Sequence, residues 1–131
     1  MKGNNNQPRI NDSDITAIIV NKDTVKLNDI ANKLGEYYAS GRDREKLSTA
    51  QIRNILDRIQ RMHKYDKDEI QLLRPLLAYA AGKDTTPGKK LRHLQQILEK
   101  AILKVNSENT FNNLRNFFEA IVAYHRYYGG K

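Results

Sequence analysis

Apolar residues return every three or four positions along most of this 131-residue chain, the spacing of one helix face. Val25, Leu27, Ile30, Leu34 and Tyr37 or Tyr38 make the first long run, which closes near Gly41. Ile52, Ile55, Ile59 and Met62 make the second. It opens at Ser48-Thr49-Ala50-Gln51, a capping-box pattern in which Ser48 and Gln51 satisfy each other's backbone N–H groups. Ile70, Leu73, Leu77 and Ala80 follow, behind Asp66-Lys67-Asp68-Glu69, whose carboxylates suit the positive end of a helix. Pro75 lies inside that run and predicts a kink or offset there, and Gly82 ends it. A fourth run, Leu91, Leu94, Leu98, Ala101, Ile102 and Val105, is expected to start at Thr86-Pro87, a cap followed by a proline in the first turn. The last run, Phe111, Leu114, Phe118, Ile121 and Val122, follows a cap at Asn106-Ser107 and stops at Gly129. No period-two alternation competes, and no linker divides the runs. The predicted fold is all-α, a single-domain bundle of about five helices.

The start of the chain reads differently. Residues 1–9 hold no apolar group that could be buried, so this tail is expected to be disordered. Ile15, Ile18, Ile19 and Val20 form a small apolar knot that fits either a short helix or an extended arm. Residues 1–22 are accordingly assigned to a flexible N-terminal segment, and residues 23–131 to the helical bundle.

Charge changes the picture. Twenty-three Lys and Arg oppose fifteen Asp and Glu, a formal net of +8 with a pI of about 9.7, which favours an anionic partner, most often nucleic acid. The excess is uneven. Residues 42–64 carry a net of +4, and residues 83–104 another +4. Arg53, Asp57, Arg61 and Lys64 share one face of the second long run. Lys89, His93, Lys100 and Lys104 fall on the side of the fourth run away from its leucines. Each face alone reads as solvated charge, with Asp57 and Arg61 at a favourable spacing of four. Several such faces in one small bundle point to a track for phosphates.

Little else carries chemistry. With no cysteine there is neither a disulfide framework nor a zinc–thiolate site. No stretch approaches the roughly 20 apolar residues of a membrane span, and the polar start is no secretory signal. His63, His93 and His125 stand in separate runs outside any metal-ligand motif. Asp66 and Asp68 are accounted for by a helix start, and Gly82-Lys83 and Gly88-Lys89 lack the strand and spacing of a phosphate loop. No serine sits in a nucleophile elbow. Catalysis, a bound metal and a cofactor are therefore not expected. Tyr124, Tyr127 and Tyr128 could stack on bases, but beside Phe117 and Phe118 they read first as packing residues.

Three stretches, in order, resemble one family. They are Leu47-Ser48-Thr49-Ala50-Gln51-Ile52-Arg53, Leu76-Leu77-Ala78-Tyr79-Ala80-Ala81-Gly82-Lys83, and Phe117 to Lys131, with Glu119 to Lys131 the most specific. Together they resemble the small helical subunit of type III-A CRISPR effector complexes, the Csm small subunit. The resemblance begins near residue 28. It implies a non-catalytic, cytoplasmic, RNA-binding scaffold in antiviral defence. Its partners would be target RNA and guide RNA, backbone subunits, the large polymerase-like subunit and further copies of itself. Basic positions of the family fall here on Arg53, Lys83, Arg126 and Lys131. Many relatives carry arginine where this chain has Lys83, so the charge stays but the planar fork is lost. Arg61 and Lys90 join the expected RNA contacts on charge alone. The rival reading is a free-standing basic helical nucleic-acid-binding protein, a regulator or RNA chaperone.

Overall fold

The computed structural model describes residues 7–130. Among the described residues there are six α-helices and no strand: α1 (Asp12–Ile19), α2 (Thr24–Tyr38), α3 (Thr49–Arg61), α4 (Lys67–Lys83), α5 (Lys90–Ile102) and α6 (Glu108–Tyr127), with a single 3-10 turn at Asp43–Glu45. The all-α expectation holds; the count is six, where about five were expected. The additional helix is α1, inside the segment expected to be flexible. Of residues 1–9, expected to be disordered, 1–6 lie outside the described residues, while Pro8 is tied by its carbonyl to the buried His93 at 2.9 Å.

Burial explains why α1 belongs to the fold. Ile15, Ile18 and Ile19 are fully buried, and each contributes on the order of 2 kcal/mol of transfer free energy. Polar ties hold the same helix. Asn113 of α6 donates to the Ile19 carbonyl at 2.8 Å, Lys26 pairs with Asp14 at 3.1 Å, and Lys104 with Asp12 at 3.1 Å. The Lys26 bond is the main reason the Asp14 carboxyl sits below the ordinary aspartate value. None of these long-range partners can be read from a local pattern.

Most helix starts follow from local chemistry. Ser48 Oγ accepts from Gln51 N at 3.0 Å while Gln51 Oε1 accepts from Ser48 N at 3.1 Å, which is the predicted capping box. Asp66 accepts from Asp68 N and Glu69 N, and Ser107 and Thr110 cap α6 reciprocally. The start of α5 is the exception. It begins at Lys90, not at Thr86-Pro87, because Gly88 (φ 86°) and Lys89 (φ 53°) both take left-handed conformations. Its cap is Asp84, seven residues upstream of the amide it serves. The buried Asp84 carboxylate accepts from Thr86 N at 3.0 Å, Thr86 Oγ1 at 2.7 Å and Leu91 N at 3.3 Å. α4 runs through Pro75, which lies on its exposed side, where water can reach the carbonyl left without a donor.

α6 is the central element, packed against α1, α2 and α3, while α5 pairs with α4 and α1. Phe111, Leu114, Phe117, Phe118 and Ile121 of α6 are fully buried. α2 turns Leu27, Ile30, Ala31, Leu34 and Tyr38 inward and leaves Val25, expected in its stripe, 70% exposed. Gly35 sets how closely α2 meets α6. A Cβ there would stand 2.6 Å from the His125 nitrogen and from Tyr124 Cβ, so only hydrogen fits.

Candidate nucleic-acid interface

The positive residues divide by their place on the bundle. His125 is fully buried, and its Nε2 donates to the Leu47 carbonyl at 2.8 Å. That contact joins the entry of α3, with Arg53 in its second turn, to the last turns of α6, with Arg126. Lys90 Nζ donates to the Ser40 carbonyl at 2.7 Å and to Ser40 Oγ at 3.0 Å, which brings the α4–α5 connection, starting at Lys83, to the same end. Arg53, Lys83 and Arg126 are all exposed there, on three different helices. Arg42 and Arg44, exposed on and beside the 3-10 turn, lie in the loop between Ser40 and Leu47 and extend the group. They were not among the residues expected to touch RNA, although they open the basic window 42–64.

The electrostatics of the buried groups report the same concentration of charge. Burial pushes the His125 imidazole below the ordinary histidine value; its bond to Leu47 opposes this, and the nearby Arg126, Lys46 and Lys90 add to it. Burial likewise lowers the Lys90 ammonium, with Glu45 opposing and Lys46 adding. The Glu45 carboxyl falls below its ordinary value, first through its bond from Arg42 N at 2.6 Å, then through Arg42, Lys90 and Arg44. Cations on three separate segments, Lys46, Lys90 and Arg126, thus act together on the buried His125. In such a field an incoming phosphate is attracted at longer range than any single lysine could manage.

Three of the expected RNA contacts, Lys90, Arg61 and Lys131, stand apart from Arg53, Lys83 and Arg126. Lys90 is not a surface cation: it is buried, bonded to Ser40, and 5.0 Å from the centre of the Tyr37 ring. Its position at the first turn of α5, facing the end of α2, turns it inward. Arg61 is exposed at the last residue of α3, beside Met62, whose carbonyl accepts from Arg115. Lys131 lies outside the described residues. Lys83 reaches back over the ring of Tyr79, 5.1 Å from its centre.

The histidines are spread over the molecule. His63 is exposed beyond α3, and His93 is buried on α5, not on a solvated face as its neighbours implied. Its Nε2 donates to the Pro8 carbonyl at 2.9 Å and its Nδ1 accepts from the Tyr38 hydroxyl at 2.8 Å, fixing the chain before α1 against α2 and α5. Among the described residues no group of His, Cys, Asp and Glu converges in a way that could hold a metal ion, and no helix is long and apolar enough to cross a membrane.

Comparison with known proteins gives the family. The family model for Csm2 of type III-A systems matches residues 21–131. The chain is 32% identical, over 93 residues, to the Streptococcus thermophilus protein named CRISPR system Cms protein Csm2, which covers 65% of this chain and 75% of that relative. No solved structure matches. With a matched region that takes in α2 through α6, the chain belongs to the Csm2 family of type III-A CRISPR systems.

Proposed function

We propose that this chain is a non-catalytic, RNA-binding subunit of a cytoplasmic type III-A effector complex, where it holds the phosphate backbone of target RNA paired with guide RNA. The observation that carries this reading is the convergence of Arg53, Lys83 and Arg126, from three helices, on one end of the bundle. Arg42 and Arg44 border the same surface, and Lys131 comes five residues after Arg126 in sequence. Such a surface positions a strand without reading it, which suits a system where base pairing supplies the sequence information. Neighbouring subunits, among them the backbone subunits, the large polymerase-like subunit and further copies of this chain, supply avidity that one small patch lacks.

The test is target RNA binding by the reconstituted complex across a salt series. Three phosphate contacts per copy give a slope of log affinity against log salt of roughly −2 for single-stranded RNA. Reversing Arg53, Lys83 and Arg126 together is expected to flatten that slope, while reversing Arg61 is expected to change it little. Unaltered binding by the triple variant would sink the site. Tight binding by the isolated wild-type chain, equal to that of the complex, would instead favour a free-standing nucleic-acid-binding protein.

A further inference from the structure

The tyrosines at the end of α6 divide by burial. Tyr124 packs against the core, and Tyr128 is half-buried, its hydroxyl donating to Asn32 Oδ1 on α2. Tyr127 is 78% exposed, although beside Phe117 and Phe118 it reads first as a packing residue. Its ring meets that of Tyr128 in a T-shaped contact, with centroids 5.0 Å apart and planes at 77°. Such a contact covers at most one face of the Tyr127 ring. At least one face is therefore open to solvent, on a ring steadied by a neighbour that Asn32 holds in place.

The surroundings of the ring say what it can take. Arg126 precedes it, also exposed, about 100° away around the last turn of the helix. A flat apolar face beside a cation matches a nucleotide, with the base on the ring and the phosphate on the guanidinium. A protein contact calls instead for a contiguous apolar patch. Among the described residues Tyr127 is the one large apolar side chain exposed on α6, and the exposed residues nearest it in sequence are Ala123, Arg126 and Gly129. Bases within a duplex already stack on one another, so the ring's partner is an unpaired base.

We propose that Tyr127 stacks on an unpaired nucleobase of the RNA whose phosphate Arg126 holds. This rests on the reading that Arg126 binds RNA, and adds to it a contact that carries no charge. Every base offers a π-face, so the stack contributes affinity without sequence preference.

Target RNA binding by the reconstituted complex across a salt series tests this. Tyr127→Ala is expected to weaken binding about 5- to 100-fold for one stacked base, with the slope against log salt unchanged because no charge is lost. Tyr127→Leu, apolar but without an aromatic face, is expected to weaken it as well, and Tyr127→Phe to keep wild-type affinity. An abasic nucleotide moved along the target RNA locates the contact. At one position or more it is expected to weaken binding by the wild-type complex and leave the Tyr127→Ala complex unchanged. Ala or Leu variants that bind as wild type overturn the stack alone if reversing Arg53, Lys83 and Arg126 still flattens the salt slope. If that reversal also has no effect, the RNA-binding reading falls with it. Abasic positions that weaken both complexes alike overturn the stack. So does a Tyr127→Ala chain that keeps its helices by circular dichroism but drops out of the complex, since Tyr127 then contacts a neighbouring subunit.

Discussion

His125 donates from Nε2 to the backbone carbonyl of Leu47 across 2.8 Å, deep inside the bundle. Its Nδ1 has no hydrogen-bond partner among the described residues and packs against Gly130, where an added Cβ would stand 2.2 Å away. The neutral imidazole fits this site. An imidazolium would place a second N–H against carbon, in the field of Arg126, Lys46 and Lys90.

Stability should therefore fall as pH drops below the ordinary histidine value. Both His93 and His125 have pKa values lowered from 6.5, first by burial. Above pH 6.5 folded and unfolded chains hold both rings neutral. Below it the unfolded chain takes up protons first, so the folded state loses up to about 1.4 kcal/mol per pH unit for each ring. Urea unfolding between pH 7.5 and 5.5 should show this decline, and a His125→Gln, His93→Gln double variant should show a flatter profile. Greater stability at pH 5.5 than at 7.5 in the wild type would contradict the assignment.

Gly35→Ala should destabilise the fold by about 1–3 kcal/mol, because a Cβ at that position overlaps α6 at 2.6 Å and forces the helices apart. Gly82→Ala is the matched control. Nothing lies within 4 Å of a Cβ there, so the same change should be neutral or stabilising by about 0.4–1 kcal/mol. Chemical denaturation of the two variants beside wild type gives the comparison.

Asp84→Ala should destabilise by about 1–2 kcal/mol, the range for loss of a helix cap. The carboxylate serves Thr86 and Leu91 together, so its loss frees the amide that starts α5 and the turn before it. Faster amide exchange confined to residues 84–92 would locate the effect. Uniform exchange across α5 and α6 would point to a different role.

Lys90→Met should separate structure from binding. It removes the ties to Ser40 and is expected to lower the melting temperature, yet leave the salt dependence of RNA binding nearly unchanged, because the ammonium is buried. Arg53→Glu should do the reverse, with a reduced salt slope and an unchanged melting temperature. A Lys90 variant with normal stability and weakened RNA binding would restore Lys90 to the interface.

Much of this protein is written in its local patterns. The helices α2, α3, α4 and α6 begin where Asp23, Ser48, Asp66 and Ser107 cap them, because a cap satisfies amides only two or three residues away. Their inward faces follow from the 3.6-residue period, and the basic excess of 42–64 marks the region of the candidate interface. Outside that range the local signal ends. Thr86-Pro87 looked like a helix start, but Asp84 caps α5 from seven residues upstream through a turn that Gly88 and Lys89 shape.

The amino-acid order alone decides that the chain is helical, where most helices start and that the whole is strongly basic, since propensity, capping and charge act within a few residues. Only the tertiary arrangement decides that α1 is anchored through Asn113 and Lys104, far along the chain, that Lys90 points inward to Ser40, and that His125 of α6 is tied to Leu47 before α3. Whether a cation is buried or free depends on which neighbouring helix covers it, and a one-dimensional period names a face without naming its neighbour.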